Sequence, residues 1–225
     1  MNSRSISTAC TACAGLLASG SFALAQNEPG HFYMRFDTGP AFVQDTDVER
    51  FLGPTPGLEV EFETGWHLGA SGGYQFTDWL AAEMQTGFSV AYIEGFNAGG
   101  IREHDSSYGN FPILANVVLQ YPCPAGFVPF VGGGVGTSIS TLSADDIVAG
   151  GSVIDGSEAD AVFAYQVFAG LRYELNETMD LGLTYKYFVA DGAEWDVEVF
   201  PGPDSSIEFD DVETHIAAFT FRMRF

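Results

Sequence analysis

The stretch THIAAFTFRMRF, residues 214–225, decides how the rest of the chain is read. Phe225, Met223, Phe221, Phe219 and Ala217 fall on one side of it, and Arg224, Arg222, Thr220 and Ala218 on the other. Successive side chains of a strand point to opposite faces, so this alternation is that of a β-strand with one aromatic and one cationic face. An aromatic strand left in water at a sheet edge invites aggregation. Something must cover that face.

Working outward, three internal segments share one spacing: Tyr74 to Leu80 (YQFTDWL), Tyr121 to Phe127 (YPCPAGF) and Tyr173 to Met179 (YELNETM). Each reads as a strand end, a tight turn of turn-forming residues and a new strand. The interval from Tyr74 to Tyr121 is 47 residues, from Tyr121 to Tyr173 it is 52, and another 52 lead to Phe225. Residues 26–225 therefore divide into four units, each with one strand out, a long connection and one strand back. Eight strands are predicted at 31–43, 60–76, 80–93, 110–121, 127–141, 161–175, 180–190 and 212–225. The joins at 77–79, 122–126 and 176–179 are short. Those near 44–59, 94–109, 142–160 and 191–211 are long and acidic. Short turns at one end and long loops at the other are the asymmetry of a bacterial outer-membrane barrel. No comparable helical period occurs, so an all-β, eight-stranded antiparallel up-and-down transmembrane β-barrel is expected.

The N-terminus stands apart. Arg4 precedes the apolar stretch Ala9 to Ala25, which ends Ala-Leu-Ala before Gln26, the small-x-small pattern of a secretory cleavage site. Residues 1–25 are expected to be a cleaved signal peptide and 26–225 the barrel domain. Cys10 and Cys13 leave with the leader, and the remaining Cys123 has no intrachain partner, so a disulfide scaffold is excluded. The leader carries one cation and no acid, so the remainder is one unit more negative than the chain's −22. That charge repels phosphate backbones and argues against nucleic-acid partners. Hydrophobic content of 46% argues against disorder, and 27 glycines with 20 Phe and nine Tyr suit a bent, aromatic-rich β-protein.

Parity sorts the strands into two faces. One holds Phe32, Met34 and Phe36, then Trp66, Leu68, Met84, Phe88, Ile113, Val117, Phe163, Val167, Leu181 and Leu183, with aromatics toward its ends. The other holds His67, Gln85, Asn116, Gln120 and Gln166 and nearly all the strand charge. Alternation alone does not say which face is inside, and a soluble lipocalin-type barrel would invert the arrangement. The cations favour a polar lumen. Five of the seven after the leader (Arg35, Arg172, Lys186, Arg222 and Arg224) lie on the polar parity, beside Asp37, Glu63, Glu83 and Glu174. A lipid-facing cation at mid-membrane costs about 2–4 kcal/mol. These nine residues are the predicted lumen charge network.

No catalytic, cofactor or metal site is expected. Gly132 to Gly136 could be mistaken for a phosphate loop, but Thr137-Ser138-Ile139-Ser140 continues as β where a helix would be needed. His31, His67, His104 and His215 are scattered, without metal-ligand spacing. His215-Ile216-Ala217 offers no serine, so no nucleophile–base pair is read for an outer-membrane hydrolase. The acids of the long connections, Asp145, Asp146, Asp155, Glu158, Asp160, Asp204, Glu208, Asp210 and Asp211, have oxygen ligands for weak divalent cation binding but no EF-hand spacing. Solvation is the preferred reading. Trp195 to Val199 and Ile207 to Phe209 alternate around Pro201-Gly202-Pro203, so the last hairpin is expected to extend beyond the membrane.

FVPFVGGGVGTS (127–138), YQVFAGLRYEL (165–175), LGLTYKYF (181–188) and the closing HIAAFTFRMRF resemble the small outer-membrane β-barrel proteins of Gram-negative-type bacteria. These include the opacity-type proteins and the barrel domain of outer membrane protein A. The resemblance covers nearly all of 26–225 and is architectural. It implies the cell outer membrane as location, with its lipid and lipopolysaccharide as surroundings. It also implies that Phe219, Phe221 and Phe225 form the terminal signal read by the barrel-assembly machinery. No peptidoglycan-binding domain is expected, since the chain stops at the last strand. The function expected is a structural or surface-interaction barrel with a lumen filled by polar and charged side chains. The alternatives are a narrow porin or hydrophobic-solute channel, and a soluble periplasmic ligand-binding barrel. The sequence carries no code for an extracellular partner.

Overall fold

The computed structural model describes residues 30–44, 46–51, 59–96, 101–102, 107–149, 152–192, 194–200, 205–209 and 211–225. The expected signal peptide lies outside them. Eight long strands run in chain order: β1 (His31–Val43), β2 (Gly65–Thr77), β3 (Leu80–Phe96), β4 (Ser107–Gln120), β5 (Phe127–Ala149), β6 (Ser152–Glu174), β7 (Met179–Ala190) and β8 (Val212–Arg224). Each pairs antiparallel with the next. β8 then pairs with β1, from Tyr33 opposite Arg224 to Val43 opposite Thr214. The sheet is closed, and the backbone groups that would face lipid are bonded within the ring.

The alternation that predicted the strands also sorts their burial. On β1, Tyr33, Arg35 and Asp37 are buried while Phe32, Met34 and Phe36 are exposed. The same switch runs along β4 and β6. The exposed face carries aliphatic residues between its ends (Met84, Val117, Val131, Val167, Leu183). Aromatics flank them at both ends. Phe32, Tyr74, Phe76, Phe127 and Tyr173 cluster in edge-on and tilted pairs near the short turns. Trp66, Tyr92, Phe163 and Tyr185 sit toward the other end. From Phe32 to Phe42 a strand tilted about 40° covers about 25 Å of height at about 3.3 Å per residue. That is the thickness of the apolar band of an outer-membrane barrel. The soluble-barrel alternative requires the opposite arrangement, and the structure excludes it.

The three short joins fall at 78–79, 121–126 and 175–178. Asn176, which also matches a glycosylation acceptor, instead organises its turn: its Oδ1 accepts from Thr178 N, Thr178 Oγ1 and Met179 N. The chain ends at this same rim, where Phe225 N donates to Phe32 O at 2.9 Å.

At the opposite end the expected loops give way to β-structure. β5 and β6 stay paired up to Ala149 opposite Ser152, with a register break between Ala144 and Ile147, where the sequence predicted a loop over 142–160. Strand Glu194–Phe200 pairs with Ser205–Phe209 and with β6. Ser205–Phe209 then pairs with Thr46–Phe51, that strand with Glu59–Phe62, and Glu59–Phe62 with the top of β3. The long connections thus continue the wall as a second tier.

Candidate functional site: the lumen

The Gly132–Gly136 run lies in mid-β5, laddered to β4 and β6, and opens no helix. Its role is clearance. A Cβ on Gly134 would lie 2.0 Å from Asn116 Oδ1 and 2.4 Å from Ala115 O, so this position keeps room for a lumen amide.

The interior has layers. Nearest the short turns, Arg224 reaches Glu174 at 3.1 Å and Asp180 at 2.7 Å, and Arg172 Nε lies 3.8 Å from Asp180. Gln120 Oε1 accepts from both Arg172 and Arg222, the latter at 3.2 Å, and Arg222 also donates to Gln75 Oε1 at 2.9 Å. Above this, Arg35 pairs with Glu83 at 2.7 Å with both side chains fully buried, and Tyr33 donates to Glu83 Oε1 at 2.8 Å. A knot of amides follows: Gln166 donates to Gln85 and Asn116, and Asn116 to Gln85, at 2.8–3.0 Å.

Higher again, Lys186 and His67 converge on Asp37 Oδ2, and His67 Nδ1 lies 2.8 Å from Ser89 Oγ. Toward the far end, Asn110 Oδ1 accepts from Tyr108, Ser138 and Ser140.

Of the nine residues predicted for the charge network, eight meet in the lumen. Glu63 is corrected: it is exposed in the gap between Glu59–Phe62 and β2, and its backbone N–H donates to Tyr92 O. Parity counted back from His67 put it inside, but the strand starts only at Gly65. Arg222 departs from the expectation of a carboxylate partner, since its hydrogen bonds go to two neutral amides.

The network also has parts the sequence did not single out. Asp180 bridges two arginines at the first residues of β7, where parity is hard to assign. Phe130 and Phe168 face inward and pack with Tyr33, Ala81 and Val118 as an apolar layer. The guanidinium carbons of Arg35, Arg172 and Arg222 sit 5.1, 4.7 and 3.7 Å from the ring centres of Phe168, Phe130 and Tyr33. Their Nε atoms have no hydrogen-bond partner, and the ring faces supply the compensating attraction. The lumen is therefore filled by aromatic as well as polar groups. His67, read as an isolated histidine, is brought beside a serine, a carboxylate and a lysine. Among the described residues no group of three or more His, Cys, Asp or Glu is arranged to hold a metal.

A closed eight-stranded ring with an apolar belt about one membrane thick and a charged interior defines an outer-membrane β-barrel. Comparison with known proteins agrees. The outer membrane protein beta-barrel domain model matches residues 10–225, and the chain belongs to that family.

Similar solved structures include OprG from Pseudomonas aeruginosa, with TM-score 0.57 and 16% identity over 88% of this chain and 97% of that one. Neisserial surface protein A gives TM-score 0.54 and 15% identity over 86% and 97%. AlkL, solved by solid-state NMR in lipid bilayers, gives 0.52 and 19% over 92% and 95%. At these identities they establish the shared fold. A search of curated proteins gave no match. The protein resides in the outer membrane.

Proposed function

We propose that this barrel is closed to solutes and serves a structural or surface-interaction role, with the two-tier end outside the cell and the short turns in the periplasm. In this reading residues 1–25 direct export, and Phe219, Phe221 and Phe225 are the signal for the barrel-assembly machinery. Outer-membrane lipid and lipopolysaccharide surround the aromatic belts.

One observation carries the closed reading. Arg222 on β8 hydrogen-bonds Gln120 on β4, and in a ring of eight these strands stand diametrically opposite. A side-chain bond across the full diameter leaves no bore at that height. The amide knot from β6 to β3 and β4 fills part of a second level and supports the same reading. Eight strands give an interior that side chains can fill, which supports the closed reading.

The charge distribution supports outward-facing function. Among the described residues the lumen holds five cations and four carboxylates in near balance, so most of the chain's 30 acids lie elsewhere, many in the long connections. Planar-bilayer recording of the purified, folded protein tests the proposal. Membranes should stay silent apart from insertion noise. Steady single-channel currents would instead establish the narrow-channel alternative.

A further inference from the structure

We propose that Ser89 is a base-activated hydroxyl, a covalent acylation site inside the barrel that takes the acyl group of a small activated ester. The inference goes beyond the surface role, and the site lies on the two-tier side of the Arg222–Gln120 and amide levels, so it requires no passage through the barrel. It rests on the direction in which four groups must share their protons.

Lys186 Nζ can only donate, and the Asp37 carboxylate can only accept. His67 Nε2 lies 2.9 Å from the same Oδ2 that Lys186 contacts. Lys186 Nζ is also 3.4 Å from Nε2, but the carboxylate oxygen is nearer and needs a proton between them, so the geometry assigns the proton to Nε2 and makes Nδ1 of the neutral ring an acceptor. Ser89 Oγ, 2.8 Å from Nδ1, is then the donor. Hydroxyl to imidazole to carboxylate is the polarity of an activated serine nucleophile, which is recognised by roles and geometry. The ring nitrogens are exchanged relative to serine proteases, which leaves the base chemistry intact. Lys186 holds the same carboxylate oxygen that the ring faces, beside Nε2.

Three neighbouring strands and one more distant strand build the site: Asp37 comes from β1, His67 from β2, Ser89 from β3 and Lys186 from β7. Space has been cleared for it. A Cβ on Gly69 would stand 2.6 Å from Asp37 Oδ2 and 2.9 Å from His67 Nε2, so any larger residue would displace the relay. Of the four side chains Ser89 is the most reachable, at 9% exposure against 2% or less for the rest.

In the step proposed, Ser89 Oγ bonds to the acyl carbon as the ester's carbon–oxygen bond to its leaving group breaks. The Ser89 proton passes to His67 Nδ1 and then to the departing phenolate. Asp37 holds the transient imidazolium. The product is an O-acyl serine and a free phenol, from a single transfer.

The test treats detergent-folded protein with p-nitrophenyl acetate and locates acetyl groups by peptide mass spectrometry. Folded wild-type protein should acetylate at Ser89. Heat-unfolded protein and a folded His67→Gln variant should do so about 100-fold more slowly, the lower end of what a positioned base contributes. No acetyl on Ser89 in the folded protein would overturn the proposal, as would equal rates in folded and unfolded chains. Should His67→Gln fail to fold, the folded and heated wild-type samples still decide it.

Discussion

Residues that alternate along the same strand live in two different solvents. On β1, Phe32, Met34 and Phe36 meet lipid while Tyr33, Arg35 and Asp37 meet one another. Outward positions need only be apolar and placed at the right depth, because acyl chains pack against any such surface. Inward positions depend on named partners, because a buried charge is tolerated only when its counter-charge stays. The wall is therefore permissive in shape and strict in polarity, and the lumen is strict in identity.

The largest break in that comparison should come from inside. Glu83→Ala leaves Arg35 buried without its carboxylate, and urea unfolding in lipid vesicles should show a loss of about 3–5 kcal/mol. Replacing both partners with apolar residues (Arg35→Met with Glu83→Leu) should cost less than the single change. A single-variant loss below about 1 kcal/mol, a value expected of exposed pairs, would show that the pair is not truly desolvated.

On the wall, Leu183→Arg should cost about 2–4 kcal/mol while Leu183→Ala costs much less. Similar losses from both would mean that position 183 packs against protein rather than lipid. Smallest in equilibrium stability but visible in the cell is deletion of Phe225. It should lower the amount of heat-modifiable barrel in outer-membrane fractions several-fold, more than deletion of a few residues at 201–204. Unchanged assembly would remove Phe225 from the proposed signal.

Much of this was legible in the sequence because a period of two is a local property. Strand His31–Val43 was predicted to the residue, and the eight-strand count followed from repeated turn chemistry at Asp78, Pro122 and Asn176. What stayed hidden depends on register between distant strands. Nothing near His67 in sequence points to Ser89, 22 residues on, or to Lys186, 119 residues on. Their meeting is fixed by β2–β3 pairing and by ring closure through β8. Glu63 misled because parity continues past a strand's true start. The β5–β6 extension was missed because Ser, Asp and Gly dominate 142–160, a composition that suits loops equally well.

The aromatic and aliphatic face meets lipid, and the charged face lines the interior. Methyl NMR of the folded protein in protonated bilayers tests this arrangement directly, through cross-relaxation between side-chain methyls and acyl chains. Leu181, Leu183, Val117, Val131 and Val167 should show it, whereas Leu114, Val118, Val128 and Ile216 should not. Acyl contacts at the second set and none at the first would mean that the barrel is inverted, with its charged face outward.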